Sequence, residues 1–338
     1  MLGTMTKLYD VTLRDGNHAL RHNLETQFVT KYCALANNSG VWAVEVGHGN
    51  GLGASSYLVG KSKFSDFELL SAAREQLTNT KLAVHSIPGF STIKKDLSPA
   101  LNLGVDVFRV ASHVTEASVS APHIEFLKNQ NAIVQGVLMM SHMASPSELV
   151  KQCKLLQGFG VDAIVLMDSA GYFDPSHVQE RIKLIEREIE VEIGIHAHNN
   201  LGVGVANALK AKECGATFLD GASMALGAGA GNAQLEIIVA HLSRESPEVF
   251  NLAKFMRMSD LVATVYKSNL PSTTSTSVAS GIAGAFSGYA PFVELLAAEF
   301  SLDAYKLWVE VGRRKLVAGQ ESQLREIAME VKEKEAIE

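Results

Sequence analysis

Short apolar segments rich in β-branched residues recur along this chain, and each is followed by a longer segment with helical apolar spacing. Eight such segments occur, at residues 8–13, 42–46, 81–87, 105–111, 132–140, 163–167, 192–197 and 217–224. Helical spacing is clearest at residues 25–39, 66–77, 146–158, 175–187 and 203–214. Eight consecutive strand–helix units can close one parallel sheet without exposed edges. The pattern therefore predicts an α/β fold, a (β/α)8 TIM barrel, with a doubly wound open sheet as the alternative.

The strand pattern stops after Asn232, and the rest of the chain has helical character. We expect helices at residues 235–243, 249–256, 281–300 and 304–334, with a Ser/Thr-rich linker at residues 268–280. The predicted organisation is a barrel domain over residues 1–245 and a C-terminal α-helical appendage over residues 246–338.

The composition favours a well-packed globular protein, since 47% of the 338 residues are hydrophobic and 20% are charged. The formal net charge of -6 is modest. Charges of both signs are interspersed, whereas a nucleic-acid or anionic-membrane binder concentrates basic residues on one face. We therefore expect neither nucleic acid nor a membrane surface as a partner.

Cysteine usage and the hydropathy pattern indicate a cytoplasmic protein. The three cysteines are Cys33, Cys153 and Cys214. Because they are odd in number and far apart, we predict neither a disulfide framework nor a thiolate metal cluster. Residues 1–7 are too short and polar for the apolar part of a signal peptide, and the apolar segment 281–300 is interrupted by a proline and a glutamate.

Titratable residues collect where the predicted strands end, which is where barrels of this kind carry their active sites. His196 and His198 are two residues apart on a strand, so both side chains point to the same face. Barrel closure brings Asp15, after the first strand, beside them. Two imidazoles and one carboxylate can bind Mn²⁺, Fe²⁺, Zn²⁺ or Mg²⁺ and leave coordination positions open. The alternative is that both histidines are hydrogen-bonded packing residues.

Three further residues near the predicted metal site have side chains suited to catalysis or support. Arg14 carries a permanent, forked cation that can bind a carboxylate or stabilise an enolate oxygen, although a structural ion pair would use it as well. His18 can act as a general base or as a hydrogen-bonding loop residue. Asn232 ends the glycine-rich turn 227–232 and can hold a metal ligand in place. The turn itself fits either phosphate binding or a tight crossover.

Two sequence runs resemble a family of metal-dependent lyases: residues 10–16 (DVTLRDG) and residues 196–202 (HAHNNLG). This superfamily includes hydroxymethylglutaryl-CoA lyase, isopropylmalate synthase and the 4-hydroxy-2-oxovalerate aldolases. The aldolase branch is the most similar, through the runs GNHALRH at 16–22, EVGHG at 45–49, MMSHM at 139–143, GAGAGN at 227–232 and GQE at 319–321. The resemblance covers nearly the whole chain.

The resemblance implies a class II pyruvate aldolase, which cleaves 4-hydroxy-2-oxovalerate or a related 4-hydroxy-2-oxo acid into pyruvate and an aldehyde such as acetaldehyde. It implies that Asp15, His196 and His198 hold a divalent metal, Mn²⁺ above all, with Co²⁺ or Mg²⁺ as alternatives. Arg14 would stabilise the pyruvate enolate, and His18 would take the proton of the C4 hydroxyl. Ser169, together with Arg14 and His196, would bind the substrate.

The resemblance also implies a partner and a setting. In this family the C-terminal appendage packs against an acylating aldehyde dehydrogenase, which receives the aldehyde through an internal channel. The corresponding setting is aromatic hydrocarbon catabolism in the cytoplasm.

The chain departs from the family pattern where the aldehyde half of the substrate is expected to bind. A family tyrosine within the segment matching residues 281–288 is replaced, and a leucine run before Pro-Gly reads HSIPG at residues 85–89. The expected aldehyde pocket therefore consists of His85, Ser86, Ile87, Phe286 and Tyr289.

Two other functions compete with the aldolase. One is a Claisen-type synthase that joins an acyl-CoA to a 2-oxo acid, as in the isopropylmalate synthase-like group. The other is a non-catalytic partner subunit that uses the barrel to organise a dehydrogenase. The predicted ligands and the intact Arg14 and His18 argue against the second alternative.

Overall fold

A computed structural model describes residues 5–316 and 320–335 of the chain. Eight parallel strands form a closed barrel in sequence order. They are β1 (Lys7–Leu13), β2 (Ala43–Val46), β3 (Lys81–Ser86), β4 (Val107–His113), β5 (Ile133–Met139), β6 (Ala163–Asp168), β7 (Glu192–Ala197) and β8 (Phe218–Gly221). The barrel closes where β8 pairs with β1, Phe218 opposite Lys7. The predicted (β/α)8 barrel is therefore confirmed.

Helices follow the strands and continue beyond the barrel. The α-helices among the described residues are α1 (Gly16–Ala19), α2 (Thr26–Ala36), α3 (Asp66–Arg74), α4 (Ser98–Asn102), α5 (Ala121–Asn129), α6 (Pro146–Gly158), α7 (Pro175–Glu186), α8 (Gly204–Glu213), α9 (Leu235–Leu242), α10 (Leu252–Val265), α11 (Ser275–Ala283), α12 (Ala290–Phe300), α13 (Ala304–Arg313) and α14 (Gln323–Glu335). In this part of the chain, no helix combines the length and apolarity needed to cross a membrane.

Local capping explains several helix starts. Ser65 precedes α3 and forms a capping box: its hydroxyl accepts from the Glu68 backbone N–H, and the Glu68 carboxylate accepts from the Ser65 N–H. Ser145 caps α6 with one bond, in which its hydroxyl accepts from the Glu148 backbone N–H, and Pro146 takes the first helical position. Both capped helices pack against the outside of the barrel, α3 against β2 and β3 and α6 against β6.

The lumen of the barrel holds a layer of buried polar side chains. Arg109 on β4 is fully buried, stacks over the ring of Tyr9 at 3.3 Å and donates to Gln135 on β5. Its guanidinium also forms two hydrogen bonds with Asp220 on β8. This layer lies in the lumen beneath the carboxyl-terminal mouth of the barrel and fixes the side chains there by ion pairs and hydrogen bonds.

The eighth strand is shorter than predicted. It ends at Gly221, whereas the sequence pattern extended it to Met224. Met224 and Ala225 have positive φ angles of 55° and 56°, which a continuing strand cannot accommodate. The chain turns there into the glycine-rich loop.

The C-terminal helices pack into two separate hydrophobic clusters. Helix α10 joins the barrel core through Phe255, Met258 and Val262. Helices α11 to α14 surround a second cluster, which contains Tyr289 and the fully buried Trp308.

Several predicted boundaries in this region are wrong. The expected linker 268–280 contains most of α11, whose start is a capping box between Thr274 and Ser277. The expected helix 281–300 is interrupted at Gly284, which has a φ of 64° and ends α11. The expected helix 304–334 is two helices, α13 and α14. Residues 317–319, including Gly319 of the GQE run, lie outside the described residues.

Candidate active site

Three potential metal ligands meet at the carboxyl end of the barrel. Asp15 follows β1, His196 lies near the end of β7, and His198 comes just after it. One ligand atom from each lies within 4.8 Å of the others, and all three residues are buried. The structure thus brings together the carboxylate and two imidazoles that the sequence predicted as neighbours.

A hydrogen bond prepares His196 to act as a ligand, and burial does the same for His198. His196 Nδ1 lies 2.9 Å from Asp220 Oδ2, so an N–H at Nδ1 donates to the carboxylate and leaves Nε2 unprotonated. That Nε2 lies 3.2 Å from His198 Nε2. Burial lowers the pKa of His198 to about 4, which keeps its ring neutral near pH 7. Neutral imidazoles are the form that binds metal, so the donor set fits a divalent cation.

Asp15 is held in its ionised form. Burial opposes ionisation, but the Arg14 guanidinium and the nearby imidazoles hold the pKa of Asp15 well below its usual range. Its Oδ2 accepts from Asn232 Nδ2 at 2.8 Å, and its Oδ1 accepts from Arg14 Nη1 at 2.6 Å. A Cβ on Gly227 would lie 2.1 Å from Asn232 Nδ2, so this turn needs glycine for the backbone to pass close by.

The Arg14 guanidinium is fixed on two sides and free on the third. Its Nε donates to Glu45 at 2.5 Å and its Nη1 to Asp15. The remaining nitrogen, Nη2, is buried and has no hydrogen-bond partner among the described residues. A buried N–H group without a partner is costly, so this group is well placed to receive a ligand oxygen.

His18 stands on α1 at the edge of the site and is half-buried. Its ring packs against Gly49, where a Cβ would lie 2.7 Å from ring atoms, and its edge faces the His22 ring at 5.3 Å between centroids. The His22 ring in turn stacks on His48 at 3.7 Å. Burial lowers the pKa of His18 to about 4, partly opposed by Asp15. The ring is therefore neutral near pH 7 and can accept a proton.

These groups surround one small chamber of about 110 Å³. Its lining consists of Arg14, Asp15, His18, Gly49, Asn50, His85, Ile87, Phe90, Met139, Met167, Ser169, His198, Ala228 and Phe286. Two larger cavities, of about 310 and 450 Å³, adjoin it, and His18 borders both. The chamber admits only a small molecule, because ligand pockets for drug-sized molecules begin at about 300 Å³.

Three of the five residues expected in the aldehyde pocket line this chamber, namely His85, Ile87 and Phe286. The structure places the other two outside it. Strand alternation turns Ser86 away from the lumen, and its hydroxyl lies 2.6 Å from Ser91 Oγ. Tyr289 is buried in the second hydrophobic cluster, where its ring meets the Phe286 ring edge-on at 5.5 Å.

His85 is the polar residue of that wall. Its Nδ1 lies 3.7 Å from Glu45 Oε1 and is buried without a hydrogen-bond partner among the described residues. Burial lowers the pKa of His85 to about 3, with Arg14 adding to the shift. Ser169 lies on another side of the chamber, and its hydroxyl accepts from the Met140 N–H at 3.0 Å.

Sequence reasoning assigned no role to Glu45, Arg109 or Asp220. All three are buried and charged: Glu45 accepts from Arg14, Asp220 accepts from His196, and Arg109 pairs with Asp220. The sequence feature that could have identified them is a charged residue within an otherwise apolar strand, at a position whose side chain points into the lumen by strand alternation. Such a residue in a closed barrel needs an opposite charge from another strand.

Fold and donor set together define a (β/α)8-barrel protein with a metal-binding mouth. Residues 5–262 match the family described as HMGL-like, and residues 271–333 match the DmpG-like communication domain. A 4-hydroxy-2-oxovalerate aldolase of Pectobacterium atrosepticum is 46% identical over 325 residues, covering 96% of this chain and 95% of that protein. One from Spirochaeta aurantia is 45% identical over 324 residues, again 96% of this chain and 95% of the relative.

The chain belongs to the HMGL-like family of metal-dependent lyases and, within it, to the 4-hydroxy-2-oxovalerate aldolases. The resemblance found in the sequence is thereby confirmed. Among solved structures, the carboxyl transferase domain of Rhizobium etli pyruvate carboxylase is similar, with a TM-score of 0.81 and 16% identity. That similarity covers 98% of this chain and 61% of the other, and it shows the shared fold alone.

Proposed function

We propose that this protein catalyses the metal-dependent aldol cleavage of 4-hydroxy-2-oxovalerate, or a related 4-hydroxy-2-oxo acid, to pyruvate and an aldehyde. One observation carries the proposal: a single small chamber is lined by Asp15, His198, Arg14 and His18, and the His196 ligand atom lies within 4.8 Å of those of Asp15 and His198. The Nη2 of Arg14 is unpartnered among the described residues, and the ring of His18 is neutral near pH 7. The names of the relatives support the same reaction.

Cleavage of the C3–C4 bond leaves its electron pair on C3, from which charge spreads onto the C2 carbonyl oxygen as an enolate. A divalent ion held by Asp15 and the two histidines would supply a Lewis acid for that oxygen. Arg14 Nη2 donates a hydrogen bond to the same developing charge, in a buried site where such a donor has most effect. Glu45 and Asp15 keep the guanidinium from turning away.

His18 takes the proton of the C4 hydroxyl as the aldehyde forms. Its neutral ring has one unprotonated nitrogen that can accept this proton. Because His18 also borders the two outer cavities, the acquired proton can pass to solvent there. The enolate then takes one proton at C3 from water, which gives the methyl group of pyruvate and balances the proton released from the C4 hydroxyl.

Ser169 and His196 complete the proposed substrate contacts. Ser169 lines the chamber, and its hydroxyl accepts from the Met140 N–H, so the hydroxyl hydrogen can still be donated to a substrate oxygen. Asn232 supports the site by holding Asp15. We propose Mn²⁺ as the native ion, with Co²⁺ or Mg²⁺ as alternatives, since one carboxylate and two imidazoles leave room for oxygen ligands.

The wall formed by His85, Ile87 and Phe286 faces the aldehyde half of the substrate in this proposal. Phe286 and Ile87 provide an apolar surface for the C4 substituent, and His85 provides a neutral imidazole with free hydrogen-bonding capacity. The chamber volume favours a short aldehyde.

The C-terminal region is proposed to bind an acylating aldehyde dehydrogenase, which would take up the aldehyde. The match of residues 271–333 to the DmpG-like communication domain supports this partner. The division into a catalytic domain of residues 1–245 and a partner-binding domain of residues 246–338 remains a prediction, as do the cytoplasmic location and a setting in aromatic hydrocarbon catabolism.

A substrate screen tests the proposed reaction. The purified protein, stripped of metal and reloaded with Mn²⁺, Co²⁺ or Mg²⁺, is offered 4-hydroxy-2-oxo acids of increasing chain length, and pyruvate release is followed with lactate dehydrogenase. Metal-dependent pyruvate release supports the aldolase. Release of CoA from acetyl-CoA and a 2-oxo acid, without pyruvate formation, would favour the Claisen-type synthase instead.

A further inference from the structure

Asn200 connects the barrel to the C-terminal helices. It lies two residues beyond His198 and is fully buried. Its Nδ2 lies 3.1 Å from the Ser277 carbonyl oxygen, 2.9 Å from Ser280 Oγ and 2.8 Å from Ser287 Oγ. All three acceptors belong to α11 or to the turn that follows it. One amide from the β7 loop therefore contacts the C-terminal region at three points.

The hydrogen-bond pattern fixes the orientation of this amide. Ser280 Oγ donates to the Ser277 carbonyl at 2.9 Å, so its oxygen must accept from Asn200. The reversed amide would set its own oxygen against the Ser277 carbonyl, and two acceptors would then face each other. Asn200 is therefore a donor here, and a carboxylate cannot replace it.

Close packing reinforces the contact. A Cβ on Gly281 would lie 3.0 Å from Asn200 Cβ, and a Cβ on Gly171 would lie 2.6 Å from Asn200 Oδ1. Helix α11 thus rests directly on the loop that follows the histidine ligands. A larger residue at Gly281 would have to push α11 away from Asn200, and one at Gly171 would have to push the loop after β6 away from it.

The contact reaches the chamber through Ser287. Ser287 follows Phe286, whose ring lines the chamber, and the other side of the same turn is held by His142, whose Nε2 lies 2.9 Å from the Gly284 carbonyl oxygen. The turn 284–287 is therefore fastened at both ends, by the loops after β5 and β7. Between these two contacts the position of Phe286 has little freedom.

We propose that Asn200 is a positioning residue that sets Phe286 against the aldehyde half of the substrate, so that discrimination between aldehydes depends on an amide that touches neither substrate nor metal. The inference rests on the proposed aldolase function. It further implies that displacement of α11 would alter aldehyde selection and leave enolate formation in place.

The test separates the two halves of the reaction. Exchange of the C3 protons of pyruvate for deuterium requires enolate formation and needs no aldehyde wall, whereas cleavage of 4-hydroxy-2-oxo acids of two chain lengths reports on the wall. For Asn200→Ala we expect exchange within about twofold of the wild type and a change of about tenfold in the kcat/KM ratio of the two substrates, the effect typical of one methylene.

Three further variants complete the design. Ser287→Ala and Gly281→Ala disturb the same contact from the other side and are expected to shift the ratio in the same direction. Ser277→Ala is the matched control: it removes the hydroxyl that accepts from the Thr274 N–H in the capping box of α11, and it keeps the backbone carbonyl that Asn200 uses. It should lower stability and leave the ratio unchanged.

The outcomes are distinct. An unchanged substrate ratio in folded Asn200→Ala overturns the inference, and so does a parallel loss of exchange and cleavage, which would place the effect at the metal ligands. If Asn200→Ala does not fold, an unchanged ratio in Ser287→Ala overturns it. Absence of both exchange and cleavage in the wild type would instead refute the proposed aldolase.

Discussion

Asp220 accepts a hydrogen bond from His196 across the β7–β8 pair, at 2.9 Å between Oδ2 and Nδ1. The same carboxylate pairs with Arg109, whose charge holds the pKa of Asp220 below its usual range against the opposing effect of burial. An ionised acceptor at this place selects the tautomer that leaves His196 Nε2 free for a metal. A carboxylate in the barrel lumen thus sets which ring nitrogen of His196 faces the metal site.

Replacement of this carboxylate by an amide tests that relationship. For Asp220→Asn we expect metal affinity to fall by about 10- to 100-fold, because the amide is a weaker acceptor and can also present its N–H to the ring. Titration of the metal-free protein with Mn²⁺ in a calorimeter measures the effect. The exposed Asp260→Asn serves as the control. Unchanged affinity in Asp220→Asn would show that the bond does not set the tautomer.

Removal of a ligand should have a larger effect. We expect His196→Ala to bind Mn²⁺ weakly and to lose cleavage, because Asp15 and His198 alone make two contacts to the ion. Metal content after gel filtration and pyruvate release measure the two properties separately. Full activity in this variant would refute the ligand assignment.

The forked guanidinium of Arg14 is predicted to matter beyond its charge. In Arg14→Lys a single nitrogen replaces three, so it cannot occupy the separate positions from which Nε, Nη1 and Nη2 reach Glu45, Asp15 and the substrate oxygen. We expect kcat to fall by about 10²- to 10³-fold, the usual cost of one lost donor to a developing oxyanion. Mn²⁺ affinity close to that of the wild type is the internal control. A lysine variant with wild-type kcat would contradict the enolate role.

Sequence reasoning recovered the barrel because its signal repeats. The eight strands follow a simple apolar pattern, and His196 and His198 share a face by alternation alone. Asp220 was missed because its partner Arg109 comes from another strand, and one-dimensional spacing does not show which lumen residues meet. The same holds for Asn200, whose acceptors lie in α11.

Helix α11 shows why the C-terminal boundaries failed. Its Ser- and Thr-rich sequence resembles a linker, since these residues compete with helical hydrogen bonds when exposed. In the folded chain Ser277 completes a capping box and Ser280 is buried against Asn200. These contacts satisfy the hydroxyl groups, so the serines no longer disfavour a helix as their composition suggests. Gly284 then ends the helix with a positive φ angle.

The pH dependence of cleavage should reflect a base with a depressed pKa. Burial lowers the pKa of His18 to about 4, so the proton-accepting form persists as the pH falls below the ordinary histidine value of about 6.5. We expect kcat/KM at saturating Mn²⁺ to stay level across that value and to decline only toward pH 4. Because burial also lowers the pKa of His198 to about 4, Mn²⁺ binding must be measured across the same range. An acid limb near pH 6.5 with metal still bound would contradict this account.

The apolar wall of the chamber is expected to determine which aldehyde is released. Phe286 lines the chamber and carries no hydroxyl, whereas its neighbour Tyr289 is buried in the second hydrophobic cluster and does not line the chamber. Phe286→Tyr would place a phenol at the aldehyde side, where it competes with His85 for a polar group of the substrate. We therefore expect a changed preference among aldehydes or between C4 stereoisomers, measured as ratios of kcat/KM. His85→Leu removes the competing imidazole and should shift those ratios as well, with pyruvate C3 exchange retained. If both variants keep the wild-type profile, this wall does not contact the aldehyde.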